Sequence, residues 1–152
     1  MSEANTRMHA TMEKFGYPGS LLKEFEHWCI LLRPAQTTLG ALVLCSKHQA
    51  SALSSLPVAA FAELATATRH IETSLNAFRP YDKINYLALM MVDPHVHFHV
   101  LPRYANQQVF AGTAFVDAAW PGPPDLKAAT NLTETQKSEL YVALMDVFAR
   151  PV

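Results

Sequence analysis

Apolar and polar positions change period several times along the chain, and each period predicts an element. "HWCILLRP" (27–34) and "LGALVLCS" (39–46) are near-continuous apolar runs separated by "AQTT", the pattern of two buried strands joined as a hairpin. From Pro57 to Phe78 the apolar residues Phe61, Leu64, Ala67, Ile71, Leu75 and Phe78 recur at steps of three and four. That spacing predicts an amphipathic helix, opened by Pro57 and stopped by Pro80. "KINYLALMMV" (83–92) and "HVHFHVLPRY" (95–104) read as third and fourth strands. The intervening Asp93-Pro94 suits a type I turn, which makes these strands antiparallel neighbours. Residues 6–15 and 20–26 are polar and helix-permissive, broken by "GYPG". After Tyr104 the chain is loop-rich, and the prolines of "WPGPPD" (120–125) forbid regular structure. A last helix carries a capping box, Thr133 with Gln136, ahead of Leu140, Tyr141, Leu144, Met145 and Phe148. The succession hairpin, helix, hairpin, helix predicts an α+β domain over 1–152, an antiparallel sheet flanked by helices.

Composition narrows what such a domain can do. The chain has 152 residues, half of them apolar and 16% charged, which supports a packed core and excludes disorder. Net charge is −1 and no cationic run exists, so neither nucleic acid nor an anionic membrane is an expected partner. No stretch approaches the ~20 apolar residues of a membrane span. "MSEANTRMHATMEKF" lacks the apolar centre of a signal peptide, and a cytoplasmic location is expected. Cys29 and Cys45 lie inside apolar runs without C-x-x-C spacing, which predicts buried, reduced thiols rather than a redox pair or metal ligands.

The chemistry concentrates in "DPHVHFHVLPRY", Asp93 to Tyr104, where three of the seven histidines alternate with Val96, Phe98 and Val100. On a strand, residues two apart share a face and lie roughly 6.6–6.8 Å apart. His95, His97 and His99 therefore occupy one side, and an apolar stripe anchors the other. Three readings fit this geometry. Aromatic packing on a strand surface is one, although packing rewards no such spacing. A metal site is another, with two imidazoles of an H-x-H pair and a ligand from elsewhere such as Asp93 or His48. Nucleophilic catalysis on phosphorus is the third. A neutral imidazole attacks, and its neighbours donate to phosphate oxygens or to the leaving group.

H-V-H-F-H-V-L resembles the His-φ-His-φ-His-φ-φ signature, φ being apolar, of the histidine triad (HIT) superfamily of nucleotide hydrolases and transferases. "ILLRPAQTTLGALVLCSKH" is similar to that family's first hairpin, which forms the nucleoside pocket, and the helix 57–78, the strand 83–92 and "LPR" follow in the family's order. The resemblance spans roughly residues 20–105. It implies an antiparallel sheet of about five strands flanked by helices and a homodimer. It also implies a purine nucleotide or dinucleoside polyphosphate as substrate, with no cofactor or metal in the chemistry. His97 would be the nucleophile that forms a nucleotidyl-imidazole, and His95 and His99 would bind phosphate oxygens and assist proton transfer. A nucleotide-binding regulatory protein with little turnover is the alternative, and a metal-dependent hydrolase using the histidine cluster stands behind it.

The sequence departs from the family at three places. Ala41 occupies a position where many members carry a further histidine. Arg33 stands where an Asp or Asn commonly grips the ribose hydroxyls; as a pure donor it would favour an added anion, unless it is a solvated strand end. The polar loop that lines the phosphates is replaced by "LALMMVDP", leaving Asn85 as the upstream amide able to substitute. Arg103, four past His99, is a candidate phosphate clamp or a surface salt bridge. Trp120 is a candidate lid or a loop residue packed on the core. Met90 and Met91 are expected to fill the core and a dimer interface.

Overall fold

The computed structural model describes residues 8–152. Its element order is α1 (Ala10–Lys14), β1 (Leu21–Glu24), β2 (Trp28–Leu32), β3 (Leu42–Ser46), a 3₁₀ turn (Leu53–Ser55), α2 (Val58–Phe78), β4 (Lys83–Leu87), β5 (His97–Arg103), β6 (Gln108–Phe110), β7 (Thr113–Phe115) and α3 (Glu134–Phe148). The first five strands form one sheet in the order β1-β2-β3-β5-β4, with every neighbouring pair antiparallel. The α+β class and the five-stranded sheet flanked by helices are as expected.

Register explains how one strand serves both stability and chemistry. Directly opposed residues of an antiparallel pair share a face. Leu42 faces Val100 and Leu44 faces Phe98 on one side, while Val43 faces His99 and Cys45 faces His97 on the other. The first side joins Trp28, Ile30 and Val96 to Ile71 and Leu75 of α2 and to Leu140, Leu144 and Phe148 of α3 in the main core. The second side joins Cys29, Leu31, Val43 and Cys45 to Met12 and Phe15 of the α1 segment. Both cysteines are free and buried, as expected, and they oppose one another across β2 and β3. The sheet therefore has a thick helix-covered side and a thin side on which the triad stands.

Helix α2 begins after Pro57 and ends at Phe78, as the periodicity indicates. Glu63 in its second turn accepts the backbone N–H groups of Glu26, His27 and Trp28 at 3.2, 2.6 and 3.1 Å, tying the helix to the β1–β2 turn. The capping box of α3 is formed in both directions. No helix among the described residues is long and apolar enough to cross a membrane.

Four local expectations are corrected. Residues 6–7 lie outside the described residues, and the helix expected over 6–15 is confined to Ala10–Lys14. Residues 21–24, expected as helix-permissive, form the edge strand β1, because Leu22 can be buried in the main core only if the segment pairs with β2. The strand expected over 83–92 stops at Leu87, and the chain turns away through Met90 at φ +41°, leaving Met91 and Val92 more than three-quarters exposed. Asp93-Pro94 thus belongs to a long connection rather than a tight turn, and Met91 fills no core. Finally, "QVFAGTAF" in the loop-rich section pairs as the hairpin β6–β7. Ala111 and Gly112 both take positive φ at its tip, which a two-residue turn of this twist requires.

Candidate active site

The triad is set by hydrogen bonds that orient each ring and assign the tautomers of His97 and His99. His97 Nδ1 lies 2.7 Å from the carbonyl oxygen of His95. A carbonyl can only accept, so Nδ1 carries the proton and Nε2 keeps its lone pair. At His99 the logic is reversed. The Arg33 Nε–H can only donate, and it reaches His99 Nδ1 at 3.2 Å, so Nδ1 accepts and Nε2 carries the proton. At His95 the partner is Thr11, whose Oγ1 lies 2.9 Å from Nδ1 and also accepts the His95 backbone N–H at 3.3 Å. A hydroxyl can donate or accept, so Thr11 orients the ring, and when it donates to Nδ1 it leaves His95 with a protonated Nε2. His97 and His99, whose ring centroids lie 5.1 Å apart, thus offer a bare imidazole nitrogen beside an N–H donor, while His95 does not line the cavity they share.

Packing keeps the rings in place. Phe15 lies against His97 and His99, with ring centroids 5.5 and 5.6 Å away. His9 stacks on His95 at 4.0 Å. His9 is itself fixed, because Nε2 donates to the Ser46 carbonyl at 2.7 Å and Nδ1 accepts the Met12 N–H at 3.3 Å, capping α1. Burial pulls the pKa of His99 down to about 4, with the Arg33 charge and His97 adding to the shift and Asp93 opposing it. Burial also lowers His95, assisted by His97, and lowers His9 against its bond to Ser46.

His97, His99 and Arg33 line a cavity of about 560 Å³. Its other walls are Phe15, Pro34, Ala35, Leu89, Met91, Val92 and Leu126, with Lys14, Asp93 and Lys127 at polar positions. Lys14 Nζ bridges both oxygens of Asp93, at 3.0 and 3.3 Å, so the carboxylate that would repel phosphate is neutralised by its neighbour. The apolar loop that replaces the family's polar one forms a wall of this cavity rather than a strand. A bare imidazole nitrogen, adjacent N–H donors and nearby lysines are suited to attack on phosphorus.

The other expected residues fall elsewhere. Arg33 is no solvated strand end; it is 8% exposed, and besides His99 it donates to Ala35 O, Thr37 Oγ1 and Leu126 O. Arg103 is neither at the triad cavity nor a surface salt bridge. It is buried against Asp117 through two hydrogen bonds, and it also donates to Asn85 Oδ1 and Gly122 O. Asn85 is thereby engaged away from the triad. Trp120 is half-buried in the same C-terminal turn, its backbone N–H donating to Asp117 O, and it does not line the cavity. Asp93 and His48, the ligands considered for a metal, are held by Lys14 and by His27, whose Nδ1 lies 2.8 Å from His48 Nε2. A group of possible metal ligands, Glu26, His27 and Glu63, lies at the start of β2, but the Glu63 oxygens already serve the backbone.

Residues 16–106 match the family model described as HIT domain. The chain belongs to the HIT family. Solved HIT structures share its fold along almost the whole length. The histidine triad protein blr8122 from Bradyrhizobium japonicum is 18% identical, with 95% of this chain and 98% of that one covered and a TM-score of 0.72. A histidine triad protein from Marinobacter aquaeolei VT8 is 22% identical, with coverages of 95% and 97% and the same TM-score of 0.72. A Zn-bound histidine triad family protein from Mycobacterium smegmatis is 18% identical, with 87% and 85% covered and a TM-score of 0.60. No curated protein matches the chain in sequence. These HIT structures extend over the C-terminal third, which the motif itself does not reach.

His9, Thr11, Lys14 and Phe15 escaped sequence reasoning. "MHATMEKF" repeats nothing and lies more than 80 positions from the histidines it supports. The available signal was indirect: a short segment rich in Met, His and Phe before a Gly-Pro turn needs something to cover.

Proposed function

We propose that this HIT protein is a nucleotide hydrolase or nucleotidyl transferase that cleaves a phosphoanhydride or phosphoramidate bond through a covalent nucleotidyl-His97 intermediate. The observation that supports this most is the bond from His97 Nδ1–H to the His95 carbonyl, because it leaves the Nε2 lone pair of the neutral ring free for attack. In the first step that lone pair forms an N–P bond while the bond from phosphorus to the leaving oxygen or nitrogen breaks. The leaving atom takes the Nε2 proton of a doubly protonated His95, whose rotatable Thr11 partner accepts Nδ1–H, so that the ring ends neutral. In the second step water, or another acceptor hydroxyl, attacks phosphorus and returns a proton to that imidazole as the N–P bond breaks. His99 Nε2–H and His95 Nε2–H are donors to the non-bridging oxygens, and Lys127 offsets the charge of a longer phosphate chain, the Lys14 charge being taken up by Asp93.

The substrate in this reading is a purine nucleotide or a dinucleoside polyphosphate, and the protein acts in the cytoplasm as one domain over 1–152. It acts as a homodimer, supported by edge strand β4, which among the described residues has no neighbour on one side and leaves Ile84 to Leu87 half-buried. A monomer by light scattering at micromolar concentration would remove that part. A second reading, a nucleotide-binding regulator with little turnover, draws support from the altered wall of the pocket, where Arg33 and an apolar loop replace polar groups. Titration calorimetry with a non-hydrolysable nucleotide beside a turnover assay separates the two. Binding with turnover supports the enzyme, and binding without turnover of any anhydride or phosphoramidate supports the regulator.

A further inference from the structure

The Arg33 guanidinium faces inward. Its Nε–H donates to His99, both Nη1 hydrogens go to Ala35 O and Thr37 Oγ1, and one Nη2 hydrogen goes to Leu126 O. An arginine has five N–H donors, so four of them have protein partners before any ligand arrives. The planar fork is what makes this fixed: its Nε–H direction is set once Nη1 is bound to the hairpin 33–41, and Leu126 closes it from the C-terminal loop. His99, in turn, has its Nδ1 filled by a donor that can never be an acceptor.

We infer that Arg33 is a positioning residue that acts through His99, holding it as an uncharged Nε2–H donor, and that the site consequently does not read the ribose diol. This rests on the nucleotidyl-histidine reading above for its kinetic consequence, but not for the tautomer itself. The groups that face His99 agree on its charge. Arg33 and His97 oppose a second proton, burial opposes it more, and Asp93, which would favour one, is neutralised by Lys14. A firm grip on a diol takes acceptors for its two O–H groups as well as donors to its oxygens. Asp93, the carboxylate in the cavity lining, is bridged by Lys14, and the remaining side-chain lining is apolar, cationic or imidazole. His97 Nε2 is reserved for phosphorus. Recognition therefore falls on the phosphates and on apolar contact with the base, and the substrate class is nucleotides irrespective of their 2′ and 3′ hydroxyls.

Imidazole ¹⁵N NMR on the wild-type protein tests the tautomer without any turnover. The expected spectrum assigns His99 a bare Nδ1 and a protonated Nε2 that persist below pH 6. A protonated Nδ1, or a titration near pH 6.5, overturns the proposal even if the enzyme is active. In Arg33→Met the His99 titration should move upward, and turnover of an adenosine phosphoramidate should fall roughly 10- to 100-fold, the scale of one lost oriented donor. A structural role for Arg33 alone would leave the His99 titration where it was. Arg33→Lys, which keeps a charge without the fork, is the companion variant if the methionine variant does not fold. For the sugar, affinities of adenosine and 2′,3′-dideoxyadenosine 5′-phosphorothioate should agree within about threefold, less than the roughly tenfold that 1.4 kcal/mol of lost hydrogen bonding would give. A dideoxy analogue bound more than tenfold more weakly overturns the sugar part. If the wild-type protein turns over nothing while the spectrum is as expected, the enzymatic reading fails and the Arg33 assignment stands.

Discussion

The two flanks of the triad present the same group, an imidazole Nε2–H, but support it by different means. His99 is held by a buried guanidinium that belongs to the hairpin next to it in the sheet. His95 is held by a threonine hydroxyl and a stacked histidine from the short α1 segment, and it remains half-exposed. A charged partner in a buried place excludes a second proton, whereas a hydroxyl that can rotate does not. The His99 side is thus built for a constant charge. The His95 side can give up and recover a proton, and this difference suits one flank to hold phosphate and the other to serve the leaving group.

Removing the shared centre should have the largest effect. His97→Ala should lower turnover by at least about 10³-fold while nucleotide binding by calorimetry stays nearly unchanged, because the covalent route is lost and the flanking donors remain. Loss of binding in step with turnover would mean that His97 holds the ligand rather than attacks it. Phe98→Ala, on the helix-covered side of the same strand, should do the reverse. It should cost ~3 kcal/mol in urea denaturation by opening a void beside Trp28, with little direct effect on rate in the folded fraction.

The flanks should then separate by leaving group. Substitution of either His95 or His99 should cost on the order of 10²-fold with an alkylamine leaving group, which needs a proton. With a p-nitrophenolate leaving group, which needs none, the His95 variant should recover and the His99 variant should not. Thr11→Val should follow the His95 pattern at about 10-fold, with Thr11→Ser restoring it, because only the orientation of the ring is lost. Equal behaviour of both flanks with both leaving groups would erase the distinction.

How much of this was legible depended on the distance over which each signal acts. The triad, the stripe beneath it and α2 are local periodicities, and a strand or helix period is carried by neighbouring residues. The apolar run 88–92 failed because an apolar wall and a buried strand use the same residues, and only the absence of a partner beyond Leu87 distinguishes them. Arg33 and Arg103 stand out in the sequence as candidate ligand-binding cations, but Leu126, which closes on Arg33, and Asp117, which pairs with Arg103, come from the C-terminal third. The supports of His95 come from the other end of the chain, 84 positions away at Thr11. A side chain's partner across the fold has no period, so chemistry type was readable and wiring was not.

The smallest expected effect is on stability against pH. Folded His99 sits at about 4 against an ordinary 6.5. Between those values the unfolded chain binds a proton that the folded chain refuses, so stability should fall as pH drops from 6.5 toward 4 and be indifferent to His99 above that window. His95, His9 and His48 are lowered as well and act in the same direction. In Arg33→Met the slope of urea midpoint against pH in this window should be shallower, and an unchanged slope would remove the guanidinium from the account.

The account's central claim is the covalent role of His97, and the most direct measurement is to trap the intermediate. Protein mixed with a labelled nucleotidyl phosphoramidate and quenched in base should carry one acid-labile, base-stable nucleotidyl group, and peptide mass spectrometry should map it to His97. Label on another residue, or normal turnover by His97→Ala, would contradict the mechanism.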